Sequence, residues 1–220
     1  MPGLVLLRHG ESTWNARDVF TGQVDVDLTP RGEEQARRCG LVLREAGLLP
    51  DRVHTSTLTR AVRTARLAVA AAGHPATPAR QDARLDERSY GALEGVPRSE
   101  VLARHGAEQY QRWRRSWDAA PPPGRTGGVL RPGESLADVL SRLRPCWEEV
   151  LAPDLRAGRT VLVVAHSNSL RALIALLDRV GPDRVPDLEV PIAEPLHYLL
   201  DDAARPVVPG GRYVRATSDR

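Results

Sequence analysis

Apolar positions along this chain fall into short unbroken runs separated by longer stretches with helical periodicity. Residues 4–8, LVLLR, form a Leu/Val run of strand length bounded by glycine and predict a buried strand. Thr29-Pro30 opens a helix over 30–46, with Thr29 as N-cap, Pro30 at the first helical position and Gly47 as the stop. A short strand over 52–55 comes next. Ser56-Thr57 then reads as the cap of an Ala/Val/Arg helix running to about residue 72 and ending at Gly73. Residues 83–95 are extended or irregular, and 98–118 is helical with an interruption near Gly106. The stretch AAPPPGRTGGVLRPGE, 119–134, predicts a Pro/Gly loop. A helix from Ser135 to about 151 precedes the clearest strand, TVLVVA at 160–165. After His166 come a helix through about 180, a Pro-broken loop, a strand near 196–200 and a polar tail from 203.

Strands alternating with helices of ten or more residues predict an α/β fold, a three-layer α/β/α sandwich with a mostly parallel sheet. At 220 residues the chain reads as one domain over 1–220, long enough to bury a core without disulfides or metal. His9 and His166 each follow the carboxyl end of an apolar strand, where open α/β sheets place their ligand crevice. The two histidines are therefore expected to face one cleft.

Composition narrows the classes of function. Charged residues make up 27% and the apolar set 41%, the balance of a globular chain and not of a disordered one. No apolar stretch approaches the ~20 residues that span a bilayer, and the N-terminus lacks the pattern of a secretory leader. A cytoplasmic protein with no membrane partner is the expectation. Cys39 and Cys146 lie in helical segments without metal or redox spacing and read as buried or half-buried thiols. All 31 basic residues are arginine, which weakens any argument from arginine abundance. Those arginines are scattered among 28 acidic residues, so the net charge of +3 forms no nucleic-acid surface. A small phosphorylated substrate suits a few placed arginines better.

A lone strand-end histidine is more often structural than functional, but a pair changes that weighing. Small polar groups accompany each one: Ser12, Thr13 and Asn15 after His9, and Ser167, Asn168 and Ser169 after His166. Backbone N–H groups at helix starts would collect there around an anion. An imidazole set among arginines is held neutral by like-charge repulsion, which leaves a ring nitrogen free to attack phosphorus. Arginine forks bind phosphate oxygens in bidentate fashion and stay charged through the transfer.

Seven stretches in order, RHGESTWN, FTGQVDVDLTPRGEEQA, TSTLTRAVRTA, LDERSYGALEG, YQRWRRSW, PGESLADVL and VVAHSNSLRAL, resemble the histidine phosphatase superfamily and, within it, the cofactor-dependent phosphoglycerate mutases. The resemblance implies that His9 is the nucleophile that becomes phosphorylated and that Arg8 and Arg60 bind the phosphoryl group. It implies Glu87 as general acid and base, and His166 as the electrostatic partner of the transferring group. Asn15, Thr21, Gly22, Ser167 and Asn168 match contacts to phosphate and carboxylate. Tyr90, Arg98, Arg114 and Arg115 match residues that hold the substrate's carboxylate and distal phosphate. The implied reaction interconverts 3- and 2-phosphoglycerate, with 2,3-bisphosphoglycerate as phosphoryl donor and no metal; a homo-oligomer is left open.

Plainer readings stand beside several of these residues. Arg63 and Arg66 read as one solvated helix face. Arg114 and Arg115 sit about 100° apart on a helix, so one of the pair would normally be solvated. Trp113 and Trp117, at i and i+4, read as core packing. Four departures from the family pattern bear on the reaction. Ser167 replaces a glycine, which is awkward if that position needs φ above zero. Gln23 stands where tryptophan is common, and Arg98 where lysine is common. The 119–134 loop is shorter than the familiar lid, which would admit water and favour phosphomonoester hydrolysis over isomerisation.

Overall fold

The structure is a computed structural model that describes residues 3–74, 77–126 and 128–215. A six-stranded sheet has the order β3-β2-β6-β1-β7-β8. β1 (Gly3–Arg8), β2 (Arg52–Thr55), β3 (Ala79–Gln81) and β6 (Val161–Ala165) run parallel; β7 (Leu196–Leu199) and β8 (Arg212–Tyr213) complete an antiparallel edge. Side chains alternate across this sheet as the pleat requires. Leu4, Leu6, Val161, Val163 and Ala165 pack against α5 (Leu136–Cys146), α6 (Ala152–Arg156) and α7 (Ser167–Asp178). Val5, Leu7, Leu162 and Val164 face α2 (Pro30–Glu45) and α3 (Thr59–Ala71) on the other side. Helices on both faces of a mostly parallel sheet make the three layers the alternation of elements predicts.

Helix α2 is capped as its sequence dictates: the Thr29 hydroxyl accepts from Gly32 N at 3.0 Å, Pro30 follows, and Gly47 takes φ +67° just past the end. Helix α3 begins later than its sequence suggests. It starts at Thr59 with no side-chain cap, because Ser56 Oγ is held against His166 and Thr57 is bonded to Asp86. The short helix α1 (Thr13–Ala16) is closed by a capping box between Ser12 and Asn15. Helix α4 (Arg98–Arg115) is broken at Gly106, whose φ of +76° is non-helical.

Three expectations about the elements are corrected. The 119–134 segment holds a hairpin, β4 (Gly124–Thr126) with β5 (Val129–Arg131). The helix expected over 135–151 stops at Cys146 and continues as a π-helical turn over Trp147–Leu151, next to Pro145, which lacks the N–H an α-helical turn needs. The polar tail returns at β8 to pair with β7. Cys39 and Cys146 are both buried, which pushes each thiol up to about 12 and leaves it protonated. No helix among the described residues is long and apolar enough to cross a membrane.

Candidate active site

The sheet register brings the two histidines together. Arg8 at the end of β1 lies opposite Ala165 at the end of β6, in parallel. The next residues, His9 and His166, therefore leave the sheet side by side, with ring centres 5.0 Å apart. His9 lines a cleft of about 180 Å³ at the carboxyl end of the sheet. Thirteen of the fourteen residues expected at the site fall there. His9, Arg8, Asn15, Thr21, Gly22, Arg60, Glu87, Tyr90, Arg98, Arg114, Arg115, Ser167 and Asn168 line the cleft, and His166 stands directly behind His9.

Hydrogen bonds decide which ring nitrogens are free. His9 Nδ1 lies 2.7 Å from the Gly10 carbonyl, an acceptor only, so Nδ1 carries the proton and Nε2 keeps its lone pair. His166 Nε2 lies 2.7 Å from Ser56 Oγ, which already accepts from Leu58 N at 3.3 Å. The arrangement that satisfies both has the serine hydroxyl donating to Nε2 and the proton on His166 Nδ1. Nδ1 is buried and has no partner among the described residues. Both imidazoles are held well below the usual histidine range, first by burial and then by the charge of Arg60 and other nearby cations. Burial thus outranks the charge repulsion that the sequence suggests.

Arg60 is buried and donates to Gly22 O at 2.8 Å and Val24 O at 2.9 Å, two of its five N–H groups, while it lines the cleft. Burial pulls its guanidinium down to about 10, so it remains a cation near neutrality. Arg63 instead pairs with Asp27 and Glu33, outside the cleft, as a solvated-face residue should. Glu87 is buried; its Oε1 accepts from Arg88 N at 2.7 Å and Asn168 N at 3.2 Å. The Asn168 amide donates to Tyr90 Oη at 3.2 Å. Gly22 adopts φ +52°, and a Cβ there would lie 2.1 Å from Glu94 Oε1, so glycine is required twice over. Gly10 has a different reason: an added Cβ would lie 2.3 Å from the carbonyl of Gly32 at the start of α2.

Two doubts about individual residues resolve. Ser167 begins α7 and is not among the described residues with positive φ, so its side chain brings no backbone strain. Arg114 and Arg115 both reach the cleft, because α4 ends there and leaves neither side chain over a continuing solvent face. Trp113 packs against the cluster of Phe20, Tyr90, Leu93 and Val101, but α4 ends at Arg115, so Trp117 does not share its helix face and packs instead against Leu136, Ala175 and Val185.

Sequence reasoning overlooks Arg171, Glu189 and Ser56. Arg171 lines the cleft, donates to Asn168 Oδ1 at 2.6 Å, and is pulled down to about 10, chiefly by burial. Alternate carbonyls of one segment then receive a cleft arginine each: Pro186 O from Arg115, Leu188 O from Arg171 and Val190 O from Arg8. Glu189, in that segment, lies 3.2 Å from Arg115. Nothing in the spacing of these residues sets them apart among 31 arginines. Buried donors without partners among the described residues include Arg8 Nε and Arg98 Nε beside His166 Nδ1, a set that suits an anion rich in oxygen acceptors.

Comparison with known proteins gives the family. Residues 4–203 match the histidine phosphatase superfamily (branch 1). The chain belongs to that superfamily. Among its relatives, a protein of Nocardioides sp. named 2,3-bisphosphoglycerate-dependent phosphoglycerate mutase is 48% identical, covering 96% of this chain and 92% of that protein. A protein of the same name from Mycobacterium leprae is 49% identical, covering 96% and 91%. Among solved structures, a mycobacterial glucosyl-3-phosphoglycerate phosphatase bound to VO3 superposes with a TM-score of 0.75 at 30% identity, over 90% of this chain and 93% of that one. The superfamily thus frames both reactions open to this site.

Proposed function

We propose that this chain is a phosphoglycerate mutase that interconverts 3- and 2-phosphoglycerate in the cytoplasm through a phosphohistidine at His9. The observation that carries the reading is the free Nε2 of a neutral, buried His9 that shares its cleft with Arg8, Arg60 and Glu87 and packs against a His166 whose Nδ1 has no partner among the described residues. Identity of 46–49% to relatives that bear the mutase name supports it.

His9 Nε2 attacks phosphorus in line, and the bond from phosphorus to the ester oxygen breaks as the new P–N bond forms. Glu87 gives that oxygen a proton, and it later takes one from the attacking hydroxyl. Arg8, Arg60 and the His166 Nδ1–H face the oxygens of the group in flight, where fixed donors need no reorganisation. Asn15, Thr21, Gly22, Ser167 and Asn168 complete the phosphoryl pocket. Tyr90, Arg98, Arg114 and Arg115 hold the carboxylate and the distal phosphate. When bound, 2,3-bisphosphoglycerate supplies the phosphoryl group that primes His9, and the same arginines suit its charge.

The second reading is a phosphomonoesterase, favoured by the likeness to the glucosyl-3-phosphoglycerate phosphatase fold. Both readings share the first half-reaction and part at whether a second hydroxyl or water takes the phosphoryl group. Isomer conversion and phosphate release, followed together on 3-phosphoglycerate with 2,3-bisphosphoglycerate present, separate them. Conversion outrunning release is expected. Release outrunning conversion would make the chain a phosphatase.

A further inference from the structure

Gln23 departs from the family pattern, and its surroundings suggest what it does. Its Nε2 donates to the main-chain carbonyl of Glu87 at 3.2 Å and approaches Glu134 Oε2 at 3.5 Å. The same Glu87 carbonyl receives Arg142 NH2 at 3.1 Å. Arg142 also donates to Asp86 O at 2.9 Å and Arg84 O at 2.8 Å, so one guanidinium grips three carbonyls of the segment that carries Glu87. Glu134 fixes that guanidinium through Nε at 2.7 Å and NH2 at 3.1 Å, and its Oε2 accepts from Ser89 N at 2.8 Å. The backbone is thereby tied on both sides of Glu87 to a single ion pair. Gln23 links this segment to the turn at Gly22, whose carbonyl accepts from Arg60.

None of the three lines the cleft. From outside that lining they hold the backbone that sets where the Glu87 carboxyl stands relative to the phosphoryl pocket. We propose that Gln23, Glu134 and Arg142 are positioning residues that clamp the Glu87 backbone, so that its carboxyl meets the ester oxygen at the moment of transfer. This rests on the reading of Glu87 as the acid. In the step concerned, the P–O bond breaks, the oxygen keeps the electron pair, and the Glu87 proton forms the O–H bond. A displaced acid harms that step only where the leaving oxygen needs a proton.

The leaving group therefore gives the test. Gln23→Leu keeps the side-chain bulk and removes the donor; Arg142→Lys keeps the charge and removes the fork. Each variant and the wild type are assayed on 3-phosphoglycerate, an alkyl ester, and on an activated aryl phosphate whose phenol departs unprotonated. With the alkyl ester, kcat should fall roughly tenfold or more, part of what a general acid contributes, while KM stays within about twofold. With the aryl ester, the release rate should stay within about twofold of wild type. Equal losses on both esters, or no loss on either, would overturn the clamp. If Arg142→Lys does not fold, Gln23→Leu decides alone. A wild type that hydrolyses phosphoglycerate without isomerising it overturns the mutase reading and leaves the clamp standing, because both reactions protonate the same oxygen. A wild type inert toward both esters overturns the acid role and the clamp together.

Discussion

His9 differs from an ordinary strand-end histidine in what surrounds its two nitrogens: an Nδ1–H that donates to Gly10 O, and an Nε2 lone pair left free near the unpartnered His166 Nδ1. The types of these groups and their meeting at one cleft were legible in RHG and AHSNS at two strand ends; the ring spacing and the hydrogen bonds that set each tautomer needed the parallel register of Arg8 with Ala165. Arg171 and Ser56 were illegible for a different reason. They act on Asn168 and His166 through bonds that only the packed chain creates. Gly22 shows how tightly single positions are fixed. Gly22→Ala would force a Cβ onto the Glu94 carboxylate, itself buried and held by Gln23 N and Tyr90 N, in a left-handed conformation. A loss of about 2–4 kcal/mol is expected from urea unfolding, the range in which overpacking and backbone strain add. A loss below the error of that measurement would mean the loop moves freely.

Among the elements, those with a strong apolar period or a good cap were readable. Helix α2 follows from Thr29, Pro30 and Gly47, and β6 from an unbroken Val/Leu run. The misread ones are short and lie at edges: β3 and β8 have three and two residues with polar or exposed side chains, so no alternation marks them. The β4/β5 hairpin hid in a Pro/Gly-rich stretch for the same reason. At the start of α5, Ser135 and Asp138 form a capping box next to Glu134. Ser135→Ala should cost about 1 kcal/mol in unfolding free energy, as lost N-caps do. If the box also steadies Glu134, the same variant loses kcat on 3-phosphoglycerate while KM is kept; an unchanged kcat would confine the box to stability.

Across the whole molecule, the buried histidines couple stability to pH. His9 and His166 stay neutral in the folded protein well below the ordinary range, while in the unfolded chain they take protons near pH 6.5. The unfolded state therefore binds more protons as pH falls, and stability drops with acid. For the two groups together the loss between pH 7.5 and 5.5 should be about 3 kcal/mol, read from urea curves at both values. A loss of half that size would mean one imidazole is charged in the fold, and no loss that both are. The same neutrality keeps His9 a nucleophile at slightly acid pH. The arginines around it make a positive cleft, so KM for phosphoglycerate should rise with added salt as its phosphate is screened. Most direct for the central claim is incubation with 2,3-bisphosphoglycerate followed by mass analysis of the intact chain and its peptides. One acid-labile, alkali-stable phosphoryl group on His9, absent from His9→Ala, is the predicted result; a wild-type chain left unlabelled, or labelled at another residue, would contradict it.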